Sequence, residues 1–240
     1  MKIWAHRGCS QRYPENTLLA FEKAIAIQDL TGIELDIQLT RDGNLVVIHD
    51  ERVDRTTEGI GFVKDHTLAE LRKLHIYADV NFSQSIPTME EVLDLTEPRL
   101  KKGMKLNIEL KTSVFPYPGI EEKIVELIWK RGLQESIVYS SFYTLSLERI
   151  RQIEPQAEIG ILDSKVSECL FKSKGCGADA LHPFWKGIDL PKERIQEYPV
   201  RAWLSGHLYP EKPTGTKLEF APLEEWGITD IILNEPEMYL

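Results

Sequence analysis

Short runs of apolar, β-branched residues alternate with stretches of helical period along almost the whole chain. The first run, residues 3–5, precedes a stretch in which Leu18, Phe21 and Ile25 share one helical face. A capping box at residues 88–91 predicts the start of another helix. Further strands are predicted over residues 32–37, 45–48, 104–110, 137–139, 158–162, 178–181, 200–204 and 229–233, and further helices over 121–130, 145–153 and 164–173.

These runs amount to about eight strand–helix units, the number in a closed (β/α)8 TIM barrel. A doubly wound open sheet is the competing arrangement. The length of 240 residues suits a single barrel. We therefore predict an α/β TIM barrel as one domain over residues 1–240. Residues 51–86 interrupt the rhythm and are predicted to form a small insertion over one barrel mouth, and residues 206–216 form a second irregular loop.

Composition narrows the possible partners. The net charge of −9 argues against nucleic acid, whose phosphates attract basic surfaces, and leaves a small-molecule substrate as the expected partner. Three cysteines without a CxxC spacing favour reduced thiols, and no apolar run approaches the roughly 18 residues of a membrane span. We expect a cytoplasmic protein without stable membrane insertion, and the sequence leaves its oligomeric state open.

Three acidic residues on two predicted strands suggest a metal site. Glu34 and Asp36 lie two residues apart, so their side chains point to the same face of a strand. Two carboxylates on an inward face repel each other and lose hydration, so the pair needs protons, cationic partners or a metal ion. Glu109, at the end of another strand, adds a third carboxylate. Because hard cations prefer oxygen ligands, we predict one bound Mg²⁺ or Ca²⁺.

Histidines and cationic residues lie at the ends of the same early strands. His6 and His49 each follow a predicted strand, and strand ends face the active site of a barrel. Two histidines suit removal of a proton from a nucleophile and its delivery to a leaving oxygen. Arg7 can grip a phosphate with two parallel hydrogen bonds. Lys111 shares the face of the third carboxylate, where it can balance the acidic cluster or contact a phosphoryl oxygen.

An ordered set of short motifs resembles the glycerophosphodiester phosphodiesterase family over essentially the whole chain. The matching pieces are His6-Arg7-Gly8, Pro14-Glu15-Asn16-Thr17, Glu34-Leu35-Asp36, His49-Asp50, Arg55-Thr56-Thr57, Gly61, Ile86-Pro87-Thr88, Glu109-Leu110-Lys111, Tyr117-Pro118-Gly119, Ser140-Ser141-Phe142, Trp203 and Gly227-Ile228 through Pro236. The resemblance implies a TIM barrel with His6 and His49 as the acid–base pair, a metal on Glu34, Asp36 and Glu109, and Arg7 on the phosphate. We also expect Lys111 and Trp203 to contact the substrate.

The alcohol side of the pocket departs from the family pattern. Similar proteins usually follow the tryptophan of the seventh strand with a Thr-Val-Asn-like stretch, whereas Trp203 precedes Leu204-Ser205-Gly206-His207 here. The preferred leaving group is therefore open. Phe184, Trp185 and Tyr209 are further candidates for this rim.

The resemblance implies metal-dependent hydrolysis of glycerophosphodiesters to glycerol 3-phosphate and an alcohol. The alternatives are a lysophospholipase-D-like activity on single-chain lipids and a non-catalytic barrel that binds phosphodiesters. The second should have lost a histidine or an acidic ligand, and this chain keeps all of them. A hydroxyl next to the esterified carbon is already tethered to the phosphorus, which favours a cyclic phosphate intermediate over direct attack by water.

Overall fold

The computed structural model describes residues 1–76, 84–204 and 217–240. Within these ranges, all but one of the strands run parallel to their neighbours in a single sheet. The strands are β1 Lys2–His6, β2 Gly32–Leu39, β3 Leu45–Val47, β4 Lys105–Leu110, β5 Ile137–Ser141, β6 Glu158–Asp163, β7 Ala180–Pro183, β8 Arg201–Trp203 and β9 Asp230–Leu233.

The parallel strands close into a barrel. Their order is β7-β6-β5-β4-β2-β1-β9-β8. The two ends of this row meet through parallel bridges between Leu181 and Val200 and between Phe184 and Trp203. The backbone N–H of Trp185 also donates to the carbonyl of Trp203 at 3.0 Å. The predicted TIM barrel is therefore confirmed, and the competing open sheet is wrong.

Strand β3 lies outside the barrel and runs antiparallel to β2. The connecting turn contains Gly43 at a φ of 77°, a conformation that suits the glycine of an Asp-Gly pair in a tight turn. Because β3 folds back along β2, its end returns to the barrel mouth, where the N–H of Ile48 donates to the carbonyl of Asp36 at 3.0 Å. His49 thus reaches the mouth from an added antiparallel strand. His49 therefore follows a strand that pairs with β2 and is not itself a strand of the barrel.

The helices connect successive strands and pack against one another. They are α1 Leu18–Ile25, α2 Leu68–Leu71, α3 Met89–Leu100, α4 Ile120–Arg131, α5 Thr144–Ile153, α6 Val166–Cys176 and α7 Phe220–Glu225. Helix α3 begins with the predicted capping box between Thr88 and Glu91. Helix α4 ends at Gly132, whose φ of 65° only glycine adopts readily. The predicted elements are found, with α6 and β7 each starting two residues later than expected.

Among the apolar clusters of the described residues, two join these layers. The larger one joins the barrel sheet to the helices. A smaller one lies under the predicted insertion and consists of Val46, Ile48, Val53, Val63, Leu71, Ile76 and Ile86. The insertion therefore packs on β3, the strand that leads to His49.

The second irregular loop and the expected absence of a membrane span were also predicted from the sequence. The loop over residues 206–216, with Tyr209, lies outside the described residues, as do residues 77–83 of the insertion. In the described portion of the chain, every helix is too short or too polar to cross a bilayer. The cytoplasmic location stays a prediction.

Candidate active site

A cavity of about 490 Å³ opens where the barrel strands end at their carboxyl side. One side of it is polar and the other is apolar. The polar lining residues are His6, Arg7, Ser10, Glu15, Glu34, His49, Asp50, Arg55, Asn107, Glu109, Ser140 and Asn234, and the apolar ones are Phe142, Leu162, Trp203, Leu204 and Ile232. Of the residues predicted from the sequence, Asp36 and Lys111 are buried directly behind this lining and contact it. His6, Arg7, Glu34, His49, Glu109 and Trp203 line the cavity, whereas the rim candidates Phe184 and Trp185 do not.

A sharp turn after β1 places the first histidine and the first arginine. Arg7 and Gly8 both have positive φ angles, 56° and 82°. A Cβ on Gly8 would lie 2.7 Å from the backbone of Ala20, so only glycine fits between the turn and α1. The N–H of Arg7 donates to the carbonyl of Glu34 at 2.9 Å. The turn therefore holds His6 and Arg7 against the acidic strand β2.

Three carboxyl groups converge at the polar side. One oxygen each from Glu34, Asp36 and Glu109 lies within 4.8 Å of the others. Burial, together with the charges of Asp36 and Glu109, raises the pKa of Glu34 well above its usual value. Burial likewise raises the pKa of Glu109. Without a cation, the cluster would therefore hold protons at a pH where ordinary carboxyls are ionised.

Two cationic side chains partly balance the cluster. Nζ of Lys111 lies 2.9 Å from Oε1 of Glu109 and 3.8 Å from Oδ1 of Asp36. Nε of Arg7 lies 3.3 Å from Oδ2 of Asp36. Burial alone would raise the pKa of Asp36, but the charges of His49 and Arg7 hold it below its usual range. Asp36 is thus the ionised member of the cluster.

His6 is buried, with its ring orientation set by one hydrogen bond. Its Nδ1 donates to Oδ1 of Asn234 at 2.7 Å. Its Nε2 lies 3.8 Å from Oε2 of Glu34. Burial and the neighbouring charge of Arg7 lower the pKa of His6 to about 3. The ring is therefore neutral at physiological pH, with an unprotonated Nε2 on the acidic side.

His49 belongs to a chain of charged groups that runs across the cavity mouth. Its Nδ1 donates to Oδ1 of Asp50 at 2.6 Å, and Nε of Arg55 donates to the other oxygen of Asp50 at 2.6 Å. Arg55 also reaches Glu15 at 2.7 and 2.8 Å, and Glu15 accepts from Arg7 at 2.9 Å. These hydrogen bonds therefore link His49 to Arg7 through Asp50, Arg55 and Glu15.

Trp203 anchors the apolar side. Its ring lies 6.0 Å from that of Phe142 and 5.1 Å from that of Phe184. Its Nε1 donates to the carbonyl of His182 at 3.1 Å, so the indole edge is fixed. Phe184 packs behind Trp203, and Trp185 packs on Phe184 at 6.4 Å. Phe142, which carried no predicted role, is the second aromatic face of this wall.

Several lining residues carry no role in the sequence-based prediction. Glu15, Asp50, Arg55 and Asn234 all fall within the matched motif pieces, but their neighbours in sequence do not reveal their partners in space. The only sequence feature that could have pointed to these four residues is that they lie in short polar motifs outside the predicted strands. Their hydrogen bonds explain why those motifs are needed.

The fold and this cavity define a TIM-barrel protein with three carboxyl groups, two histidines and the cationic side chains of Arg7 and Lys111 at the barrel mouth. Residues 6–175 match the model of the glycerophosphoryl diester phosphodiesterase family. The chain therefore belongs to that family, which confirms the resemblance found in its motifs.

Two relatives cover most of the chain. A glycerophosphodiester phosphodiesterase of Caldanaerobacter subterraneus subsp. tengcongensis is 44% identical over 78% of this chain and 76% of the relative. One from Bacillus altitudinis is 42% identical over 81% of this chain and 80% of the relative.

Solved structures share the fold. A phosphodiesterase of Oleispira antarctica, in complex with the product sn-glycerol 3-phosphate, aligns with a TM-score of 0.78 at 24% identity and covers 99% of this chain and 95% of its own. A structure from Galdieria sulphuraria aligns with a TM-score of 0.82 at 22% identity and covers 98% and 94%. At these identities the likeness supports the barrel alone.

Proposed function

We propose that this chain hydrolyses glycerophosphodiesters to glycerol 3-phosphate and an alcohol, with a divalent cation on the three carboxylates and with His6 and His49 transferring protons. The observation that carries the proposal is that these groups line one cavity of a barrel from this family or, in the case of Asp36, contact its lining directly. The names of the relatives support the substrate class.

The acidic cluster fits a hard cation. Glu34, Asp36 and Glu109 offer oxygens close enough together to share one ion. Among the described residues, Oδ1 of Asp36 has no hydrogen-bond partner although it is buried, so it has capacity for a ligand. A bound Mg²⁺ or Ca²⁺ supplies charge that neutralises the carboxylates and polarises a phosphoryl oxygen.

The first step uses each histidine through its Nε2. The neighbouring hydroxyl of the glycerol attacks the phosphorus, and its proton goes to Nε2 of His6, because Nδ1 is engaged with Asn234. The bond from phosphorus to the alcohol breaks. The leaving oxygen takes a proton from Nε2 of His49, whose Nδ1 is held by the Asp50 carboxylate.

The second step reverses these roles. Water attacks the phosphorus of the cyclic phosphate and gives a proton to His49, while the opening ring oxygen takes a proton from His6. Both histidines regain their first protonation states. Intramolecular attack is worth on the order of 7–11 kcal/mol over a free reactant, which favours the cyclic route over direct attack by water.

An analogue that lacks only the neighbouring hydroxyl tests this route. It should compete with the substrate for binding and turn over orders of magnitude more slowly. Cleavage of the analogue at a rate comparable to the parent diester would mean that water attacks directly.

One side of the cavity is suited to the phosphate of the substrate and the other to its alcohol. Arg7 and Lys111 bring positive charge to the phosphate side. Trp203 and Phe142 offer an apolar wall for the alcohol. This wall is the observation that favours a second candidate, a lysophospholipase-D-like activity on single-chain lipids.

A product assay over a panel of diesters tests the proposal. The panel varies the alcohol from small polar groups to a single-chain lipid, with Mg²⁺, Ca²⁺ or chelator. Glycerol 3-phosphate should form from small diesters only when a cation is present. Preference for the lipid would establish the second candidate, and no turnover of any diester by folded, cation-supplied protein would contradict both.

A further inference from the structure

Gln38 is a buried polar side chain on β2 that contacts none of the reacting groups assigned above. It lies two residues after Asp36 and therefore on the same face of the strand. Its Nε2 donates to three consecutive backbone carbonyls, those of Ile48 at 3.0 Å, His49 at 3.1 Å and Asp50 at 2.7 Å. Its Oε1 accepts from the hydroxyl of Tyr117 at 2.7 Å.

We propose that Gln38 and Tyr117 form a positioning pair that sets the backbone at His49 for proton transfer. The inference rests on the proposed role of His49 and adds two residues to the requirements of the reaction. Neither residue is among those that line the cavity, so in this proposal both act through His49.

The end of β3 explains why such a pair is needed. The ladder with β2 stops at Val47, so the carbonyls that follow have no partner strand. Because three successive carbonyls turn towards one nitrogen, the backbone at His49 follows a tight concave path. Loss of that nitrogen would remove the donor from one buried and two partly buried carbonyls and would allow the backbone path to change.

Tyr117 holds the other end of the Gln38 amide, the oxygen that points away from the three carbonyls. A hydroxyl that donates to Oε1 leaves Nε2 pointing at the carbonyls. Tyr117 has a φ of 42°, a conformation that non-glycine residues rarely adopt and that persists when the surroundings constrain it. Its ring packs edge-on against Phe115, which packs in turn against Phe62 of the insertion. The loop after β4 and the insertion therefore both hold the tyrosine hydroxyl in place.

The charged chain through Asp50 constrains a different part of the same residue. Asp50 holds the imidazole ring of His49, whereas Gln38 holds the main chain on both sides of it. A ring with the right partner but a displaced backbone would still miss the leaving oxygen. Displacements of about 1 Å at reacting groups cost on the order of 100-fold in rate.

The substitution Tyr117→Phe removes one hydroxyl and leaves the ring in its packing. We expect kcat to fall about 10- to 100-fold, as for other residues that orient a catalytic group, with KM within about 2-fold. Tyr139→Phe is the matched control, because Tyr139 is also buried but its hydroxyl has no hydrogen-bond partner in the described ranges. The control should retain the parental kcat.

A double-mutant cycle separates positioning from a general structural defect. If Tyr117 acts through His49, adding Tyr117→Phe to His49→Ala should cause no further loss of kcat. Gln38→Leu should behave like Tyr117→Phe with a larger loss, and the melting temperature of each variant shows that it is folded.

The outcomes distinguish this inference from the proposed function. Parental kcat in His49→Ala would overturn the proposed function. A large loss in His49→Ala, combined with parental kcat in Tyr117→Phe, would overturn the positioning pair alone. The pair is also overturned if the Tyr117→Phe loss multiplies that of His49→Ala, or if Tyr139→Phe loses as much.

Discussion

The substitution Glu34→Gln replaces one of three crowded carboxyls with a neutral amide of nearly the same size. In the metal-free protein the pKa of Glu34 is raised by burial and by its acidic neighbours. A raised pKa stabilises the fold below the unfolded value near 4.3, and this contribution is lost as pH rises through the folded value. The metal-free variant should therefore be more stable than its parent at neutral pH.

The size of this gain has a ceiling. Each pH unit between the unfolded pKa of about 4.3 and the working pH contributes about 1.4 kcal/mol, until the folded carboxyl ionises. At pH 7 the gain therefore cannot exceed about 4 kcal/mol. The amide oxygen can still accept the hydrogen bond that the N–H of Arg7 donates to Oε2 of Glu34 at 3.2 Å, so little is lost in exchange.

A bound cation should make the parent more stable than Glu34→Gln, the reverse of the order in the metal-free proteins. At 100 times its dissociation constant it stabilises the parent by about 2.7 kcal/mol. For a domain of this size, that corresponds to a rise in melting temperature of about 5–11 °C. Glu34→Gln has lost one ligand and one charge, so its rise should be less than half as large.

Thermal melts with chelator, Mg²⁺ or Ca²⁺ between pH 5.5 and 8 measure both effects. The cation-dependent rise of the parent should grow with pH, because protons and the cation compete for the same oxygens. Glu121→Gln is the matched control, since Glu121 is equally buried but bonds to Ser146 at 2.6 Å, away from the cavity. It should show the parental rise. A metal-free Glu34→Gln protein less stable than its parent, or a parent indifferent to both cations, would refute the reasoning.

The remaining predictions concern the histidines and the charged chain at the mouth. His6→Ala and His49→Ala should each lower kcat by about 10²–10⁴-fold in folded protein. The double mutant should lose less than the product of the two single losses, because the histidines act as one unit. Near-parental kcat in either single mutant would rule out a catalytic role for that histidine. Asp50→Asn should lower kcat more than it raises KM, because the amide cannot stabilise a charged His49, and an unchanged kcat would show that the pair is dispensable. Arg55→Gln should lower activity, because it breaks the row of charged groups that links His49 to Arg7. Arg52→Gln is the control, because Arg52 lies in the same insertion but pairs with Asp54, which does not line the cavity. Equal activity of the two variants would contradict a role for this row of charged groups.

The barrel could be predicted because its signals are local. Alternation of apolar strands with helical stretches and the capping box at Thr88 each depend on a few adjacent residues. The acidic pair on β2 was accessible for the same reason, since strand geometry alone places Glu34 and Asp36 on one face. The third carboxylate followed from its position at a neighbouring strand end.

The residues that support the site could not be predicted in this way. Nothing in the local sequence distinguishes Gln38 from other polar residues on a strand. Only the return of β3 along β2 brings three carbonyls to its amide. The contact between Glu15 and Arg55 spans 40 residues and depends on how the insertion folds. Asn234 meets His6 only because the last strand closes the barrel beside the first. Such partners are set by barrel closure and by loop paths, which residue pattern does not encode.

One ³¹P NMR time course on the purified protein tests the central claim most directly. With a small glycerophosphodiester and Mg²⁺ or Ca²⁺, the diester signal should convert to that of glycerol 3-phosphate. Conversion should stop when chelator is added and resume when the cation is restored in excess, and His49→Ala should convert at least about 100-fold more slowly throughout. Continued conversion in chelator, or an unchanged diester signal in folded, cation-supplied protein, would contradict the account.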